Sequence, residues 1–198
     1  MDAFERVSAA VRVADLVLDL GEVLRLTTRE GKRESDTTHS QMLAMVAAEV
    51  LSEKDPSSLE KILRYALIHD IPEVFAGDTP TLVPLSPEQE KEKDAREKHG
   101  ALAAMALLPP RWGDFLREYQ QQEDPLARFV RVLDKAMPRL VGVLNRCAEP
   151  KRIGWTKAQF QEALRRQNEK LQDYCPLPEA HAFLVEAGDQ MLETWDSP

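Results

Sequence analysis

The sequence predicts an all-α protein that folds as one domain. Apolar residues recur at helical spacing along nearly the whole chain, whereas the period-two alternation of β-strands is scarce. One such stripe consists of Val7, Val11, Ala14 and Leu18. The chain has 198 residues, of which 43% are hydrophobic and 30% charged, so it can bury a full core within a single domain.

The predicted helices follow one another with short connectors. They span residues 3–24, 38–52, 57–71, 87–108, 111–121, 124–147, 156–173 and 178–194. The connectors contain the residues that start and stop helices: Asp55-Pro56-Ser57 precedes the third helix, Pro109-Pro110 ends another, and Thr156 offers an N-cap after Gly154-Trp155. We expect a compact helical bundle.

The charge balance excludes several classes of partner. With 26 Lys and Arg against 34 Asp and Glu, the net charge is −8, so no general positive field attracts a nucleic acid. No apolar run approaches the ~20 residues that span a bilayer, and we expect a cytoplasmic protein. Cys147 and Cys175 stand far apart without a CxxC partner and are interpreted as reduced thiols. An anionic substrate therefore requires a local cation cluster or a metal ion.

On three predicted helices, the apolar stripe is interrupted by polar residues of types that bind metal ions or transfer protons. These residues are His39, His69, Asp70 and Asp134. A single inward histidine or aspartate is most simply a hydrogen-bonded core residue. Two imidazoles and two carboxylates from three segments, aimed into one core, instead suit a divalent transition metal and leave coordination positions open for water and substrate.

Two longer motifs surround these residues. RESDTTHS occupies residues 33–40 and HDIPEVFAGDTPT occupies residues 69–81, with the helical Asp134 late in the chain. This combination resembles the HD-domain metal-dependent phosphohydrolase superfamily, and the short bacterial 5′-deoxynucleotidase group in particular. The resemblance covers about residues 20–145.

The resemblance implies a fold and a set of roles. It implies a single HD domain over residues 1–198, with about six core helices and a carboxy-terminal helical extension, residues 150–198, packed on them. It implies that one divalent ion (Co, Mn, Mg, Zn, Ni or Fe) is bound by His39, His69, Asp70 and Asp134. Glu73 and Asp78 would face the substrate pocket as catalytic groups. We further expect a homodimer or higher homo-oligomer.

The sequence departs from the deoxynucleotidase pattern at two places. Thr38 stands where the group often has an acidic residue before the first histidine, which alters the charge around the ligand and not the ligand itself. Arg25-Leu26 stands where the group has an Arg-Trp pair whose ring packs against the sugar. Selectivity for deoxyribose is therefore not implied by the resemblance.

Glu73 follows His69 by four residues, which places both on one helix face if the helix continues that far. A carboxylate there suits a general base or proton shuttle. The alternative is a structural carboxylate paired with a nearby arginine.

Positive groups for a phosphate cluster before His39. They are Arg25, Arg29, Lys32 and Arg33, of which Arg25 and Arg33 are the favoured phosphate contacts. Lys135, next to Asp134, can contact the phosphate or pair with a carboxylate.

Three functions remain open at this stage. The first is a phosphohydrolase that converts deoxynucleoside 5′-monophosphates to deoxynucleoside and phosphate. The second is a dATP-type triphosphohydrolase that releases tripolyphosphate, and the third is a non-catalytic HD-fold nucleotide-binding module. In each case the partner is a small nucleotide, with neither nucleic acid nor membrane involved.

Overall fold

The computed structural model describes residues 2–51, 56–79 and 85–196, so Asp55, Pro80 and Thr81 of the predicted connector and motif lie outside the described residues. The predicted all-α class is confirmed. The elements are α1 (Ala3–Glu22), β1 (Leu24–Arg29), β2 (Lys32–Ser35), α2 (Asp36–Val50), α3 (Pro56–Ile68), α4 (Glu73–Ala76), α5 (Pro87–Leu107), α6 (Pro110–Gln121), α7 (Pro125–Leu144), α8 (Ala148–Arg152), α9 (Lys157–Leu171) and α10 (Pro178–Glu193).

Side-chain caps begin several of these helices. Ser35 caps α2 by accepting a hydrogen bond from the backbone N–H of Thr38 at 3.3 Å. The predicted cap at Thr156 is present and forms a reciprocal capping box with Gln159 at the start of α9. Each cap satisfies backbone donors that have no partner within the helix.

A β-hairpin occupies the segment that the sequence analysis leaves between its first two helices. Strands β1 and β2 pair antiparallel, and Glu30 and Gly31 form the turn with φ of 54° and 79°. Positive φ at both turn residues matches the right-handed twist of the strands. The hairpin is held against the carboxyl end of α7 by Asn145, whose Nδ2 donates to the Thr28 carbonyl at 2.7 Å.

The third helix is shorter than predicted. We expected it to reach residue 71, but α3 ends at Ile68, and His69 and Asp70 lie in the turn that follows. Pro72 has no N–H and disfavours helical backbone at the residue before it, so a new short helix, α4, begins at Glu73. The condition on which His69 and Glu73 would share one helix face is therefore not met.

Helix α7 is at the centre of the bundle and packs against α2, α3 and α10. Its fully buried apolar side chains include Phe129, Val130, Leu133 and Met137. Since Asp134 lies within this segment, its carboxylate is enclosed by the same core. The packing of α10 on α7 puts carboxy-terminal residues in the main core as well.

Helix α1 is apolar on two opposite faces. Leu16 and Leu20 are buried against the bundle, whereas Phe4, Val11 and Leu18 are 80%, 61% and 71% exposed. Within the part of the chain that the structure describes, no helix has both the length and the apolar character needed to cross a membrane.

Candidate metal centre

Four side chains meet inside the bundle at the amino end of α2, the turn after α3, and the middle of α7. His39 Nε2 lies 2.9 Å from Asp134 Oδ1 and 3.7 Å from Asp70 Oδ2. His69 Nε2 lies 3.0 Å from Asp70 Oδ2 and 3.7 Å from Asp134 Oδ1. The four atoms thus form a closed ring in which nitrogen and oxygen alternate. All four residues are buried.

One hydrogen bond, at His69, and one close polar contact, at His39, orient the two imidazoles from outside the ring. His69 Nδ1 lies 2.8 Å from the carbonyl oxygen of Ala66 and must donate to it. His39 Nδ1 faces Glu34 Oε1 at 3.4 Å. With the proton on Nδ1 in each neutral ring, both Nε2 atoms offer a lone pair to the centre, as metal-bound histidines do.

These residues fit a divalent ion on two observations. Ligand atoms about 2.1 Å from a common ion lie about 3.0 to 3.4 Å apart, close to the spacings around this ring. Moreover, His69 Nε2 is buried and has no hydrogen-bond partner. An ion bound by both histidines and both aspartates would satisfy that atom and neutralise two buried carboxylates.

The electrostatics of the ring favour a cation. Burial alone would lower the pKa of His69, but the charges of Asp70 and Asp134 outweigh it and raise this pKa to about 10. Burial likewise opposes ionisation of Asp70, yet His69 holds its pKa at about 2. The pKa of Asp134 also lies well below its usual range, despite its burial, with Lys135 the strongest attractive charge.

A cluster of three carboxylates adjoins the ring and shares Asp70 with it. One oxygen from each of Asp36, Asp70 and Glu73 lies within 4.8 Å of the other two. Arg25, on β1 and only 9% exposed, donates from Nη1 to Asp36 Oδ1 and to Asp70 Oδ2, both at 2.9 Å. Burial alone would lower the pKa of Arg25, but the charges of Asp70 and Asp134 outweigh burial and raise this pKa.

Glu73 belongs to this cluster of carboxylates, and Asp78 borders it. Burial raises the pKa of Glu73 to about 11, and the charges of Asp70 and Asp36 add to the effect. Its Oε2 atom is buried and has no hydrogen-bond partner. Burial also raises the pKa of Asp78, which follows Gly77 (φ 72°) in the turn after α4 and interacts electrostatically with Arg25 and Asp70.

The other predicted phosphate-contacting cations occupy different surroundings. Lys135 Nζ donates to Asp134 Oδ2 at 2.6 Å, so it lies at the ring. Arg33 is exposed and donates from Nε to the Arg25 carbonyl at 2.7 Å and from Nη2 to the Leu24 carbonyl, which ties β2 to β1. Arg29 and Lys32 are exposed at the hairpin turn. Arg25 and Lys135 are therefore the two of these cations that the structure brings into contact with the ring carboxylates.

Comparison with known proteins decides the family. A family model of the HD domain matches residues 19–176 of the chain. This chain belongs to the HD domain family. The match confirms the resemblance carried by the two motifs, and it extends past residue 145, where the predicted signature region ends.

Relatives of this HD domain include the 5′-deoxynucleotidase HDDC2 of Mus musculus, 29% identical over 108 residues, and that of Xenopus laevis, 31% identical over 108 residues. These alignments cover 52% of the chain and 52% and 51% of the relatives, so the chain spans about half the length of the curated relatives it matches.

Two solved structures share the HD-domain architecture. A predicted metal-dependent phosphohydrolase from Magnetospirillum magnetotacticum MS-1 is 27% identical, with a TM-score of 0.65 over 93% of this chain and 98% of that one. The PH0347 protein from Pyrococcus horikoshii OT3, 24% identical, has a TM-score of 0.60 over 91% of this chain and 99% of its own, and shows the fold alone.

Glu34 and Asp36 also contribute to the site of this HD domain, although neither is among the residues predicted from the sequence. Glu34 orients His39. Burial alone would raise the pKa of Glu34, but its contacts with His39 and Thr27 outweigh burial and lower this pKa. Asp36 is fully buried and is an acceptor for Arg25. Both lie within RESDTTHS, so the signal was two acidic residues, five and three positions before a histidine on an apolar stripe.

Proposed function

We propose that this HD domain is a metal-dependent phosphohydrolase that converts deoxynucleoside 5′-monophosphates to deoxynucleoside and phosphate. The observation that carries the proposal is the ring of His39, His69, Asp70 and Asp134, whose spacing and orphaned imidazole nitrogen fit one divalent ion. When bound, such an ion supplies an activated water and stabilises charge on a phosphoryl group. The relatives named 5′-deoxynucleotidase HDDC2 favour the monophosphate as substrate.

The residues around the ring have distinct tasks in this proposal. Glu73 has a buried, unpaired Oε2 next to Asp36 and Asp70, where it can hold or move a proton between water and the leaving 5′ oxygen. Asp78, which follows Gly77 and interacts electrostatically with Arg25, would contact the substrate in this proposal. Both residues are candidates for positioning a reacting group or transferring a proton, and neither is one of the four ring residues.

Cations at the ring would hold the phosphate of the substrate. Arg25 bridges Asp36 and Asp70, and Lys135 contacts Asp134, so both present positive charge at the ring. A guanidinium has five N–H donors, so Arg25 retains those of Nη2 and Nε beyond the two of Nη1 that face the carboxylates. Arg33 supports this arrangement by holding the Arg25 carbonyl.

The test is hydrolysis of a nucleotide panel by metal-loaded protein, with phosphate and tripolyphosphate separated. We expect dAMP or another deoxynucleoside monophosphate to give deoxynucleoside and phosphate faster than dATP gives tripolyphosphate. Tripolyphosphate as the main product would make the protein a triphosphohydrolase. Tight nucleotide binding without turnover, under every metal tested, would identify a binding module instead.

The ribonucleotide arm of the same panel tests sugar selectivity. Leu26 replaces the tryptophan of the deoxynucleotidase pattern and is 38% exposed on β1, next to Arg25. Comparison of dAMP with AMP measures whether another side chain discriminates against the 2′-hydroxyl. A homodimer or higher oligomer and a cytoplasmic location stay predictions, which light scattering and cell fractionation test.

A further inference from the structure

We propose that Arg25 takes the place of a second metal ion in this centre, so that the HD domain binds one divalent ion where its carboxylates could hold two. This inference rests on the proposed metal function. It concerns the cluster of three carboxylates, Asp36, Asp70 and Glu73, which borders the ring and has Asp70 in common with it.

The placement of Asp70 is that of a bridging ligand. Its Oδ2 atom lies 3.0 Å from His69 Nε2, within the ring, and 2.9 Å from Arg25 Nη1, outside it. In two-metal hydrolytic sites the ions lie about 3.5 to 4 Å apart. A carboxylate oxygen shared between an ion site and an adjacent cation corresponds to that arrangement, with a guanidinium nitrogen as the second cation.

The surroundings of Arg25 Nη1 have the ligand types of a hard divalent ion. Asp36 Oδ1 lies 2.9 Å from Nη1. The second oxygen of Asp36 and the Oε2 atom of Glu73 are buried and receive no hydrogen bond from a nitrogen donor, and the two carboxyl groups interact with each other. Three carboxyl groups thus lie close together, and one cation, the Arg25 guanidinium, contacts two of them. Oxygen donors of this kind suit Mn²⁺ and Mg²⁺.

Arg25 excludes a second ion for two reasons. Its guanidinium cannot lose its proton, so the positive charge is permanent. Its side chain is held in place by Asp36 and Asp70, both 2.9 Å from Nη1, and its backbone carbonyl accepts a hydrogen bond from Arg33. Loss of the guanidinium would leave Asp36 buried without a compensating charge and would remove the outer partner of Asp70, and this makes the vacated position a strong cation site.

The test counts ions bound to the purified full chain. Metal-free protein is equilibrated with Mn²⁺, passed through a desalting column and analysed for manganese, and electron paramagnetic resonance detects exchange coupling between adjacent ions. Wild type should retain one Mn²⁺ per chain without coupling. Arg25→Met should retain close to two, with a coupled spectrum, and Arg25→Met combined with Asp36→Asn should return to one.

Two controls accompany these variants. Arg12→Met removes an exposed arginine of α1 and should leave the count at one, which separates loss of a charge from loss of this particular guanidinium. Asp36→Asn in the wild-type background should also leave it at one, because Asp36 is not among the four ring residues. Arg25→Gln, which removes the charge but keeps a polar side chain, is the second variant at this position and should also retain close to two ions if Arg25→Met fails to fold.

The outcomes are distinguishable. Two ions per wild-type chain, of which Asp36→Asn removes one, would show a dinuclear centre and overturn the inference while the metal function stands. One uncoupled ion in folded Arg25→Met would overturn it in the same way. No retained ion in wild type would overturn the proposed metal function, and the inference with it.

Discussion

His39 Nε2 and Asp134 Oδ1 lie 2.9 Å apart although 95 positions separate them in the chain. This contact joins the amino end of α2 to the middle of α7, each of which supplies one residue of the ring. Because Asp134 is enclosed by the core of α7, its carboxylate is held rigidly, as a ligand for a catalytic ion should be. The first prediction concerns this residue.

Asp134→Ala should abolish both metal retention and hydrolysis, because it removes one of the four groups that would bind the ion. Elemental analysis of the purified variant and a phosphate-release assay measure the two effects. Asp114→Ala, on the exposed side of α6, is the matched control and should behave as wild type. Full metal occupancy in Asp134→Ala would show that Asp134 is not a ligand.

Glu73→Gln should separate metal binding from turnover. Glu73 lies outside the ring of four, so we expect metal content and nucleotide affinity to be kept. Turnover should fall by roughly 100-fold or more, the usual size of a general acid–base contribution. Glu88→Gln, at the exposed start of α5, controls for the loss of a surface carboxylate. Near-normal kcat in Glu73→Gln would leave Glu73 as a structural carboxylate.

Lys135→Met tests whether the ammonium group contacts the phosphate. Lys135 donates to Asp134 and its side chain is 24% exposed, so it can reach a ligand without leaving the ring. We expect KM for the nucleotide to rise about tenfold, on the order of one lost charged hydrogen bond, with metal content unchanged. If metal is lost and KM of the remaining active fraction is normal, Lys135 serves only to position Asp134.

The sequence predicted the helical architecture because nearly every helix has a regular apolar stripe and a recognisable stop signal. It also indicated that His39, His69, Asp70 and Asp134 face one core, since each interrupts such a stripe. Their role as metal ligands stays a prediction. The convergence was accessible because helical periodicity alone specifies which face each residue occupies.

Features that depend on long-range pairing were not accessible in the same way. Arg25 contacts Asp36 across 11 positions and Asp70 across 45, and neither contact follows from a helical pattern. The hairpin was missed because its register is irregular between Leu24 and Thr28, which obscures strand alternation. The end of α3 was placed too late because the stripe continues to Asp70 even though the helix does not.

The N-cap of α7 gives a prediction about stability and pH. Asp124 accepts from the Leu126 N–H at 2.8 Å and from the Tyr65 hydroxyl at 3.0 Å, and it pairs with Lys61, so it joins α7 to α3. Asp124→Ala should lower the free energy of unfolding at pH 7 by about 1 to 2 kcal/mol, the usual cost of losing a cap. Urea denaturation measures the change.

The pH dependence of this contribution has a defined sign. Burial would raise the pKa of Asp124, but the contacts with Lys61, Leu126 and Tyr65 outweigh it and lower this pKa below that of an unfolded chain. The charged form therefore stabilises the fold above about pH 4, and the contribution is lost as the pH falls below that value. Asp124→Asn keeps a cap acceptor but not the charge. Its deficit against wild type should shrink between pH 7 and pH 3, and a deficit independent of pH would exclude this linkage.

The final prediction uses two glycines that lie inside helices. Gly100, in α5, faces the turn between Asp70 and Glu73: a Cβ added there would lie 2.5 Å from the Pro72 carbonyl oxygen and 3.2 Å from Ala76 Cβ. Gly113, in α6, is the matched control, because its added Cβ would meet the Met105 carbonyl oxygen at an ordinary 3.6 Å.

Gly100→Ala should therefore push α5 away from α4, lower the free energy of unfolding by about 1 to 3 kcal/mol, and reduce kcat by displacing Glu73. Gly113→Ala should keep activity and leave stability equal or raise it by up to about 1 kcal/mol, since alanine favours helix over glycine. Urea denaturation and nucleotide kinetics on both variants measure these effects. Equal stability and equal kcat in the two variants would show that the close approach of α5 to Pro72 does not position the catalytic turn.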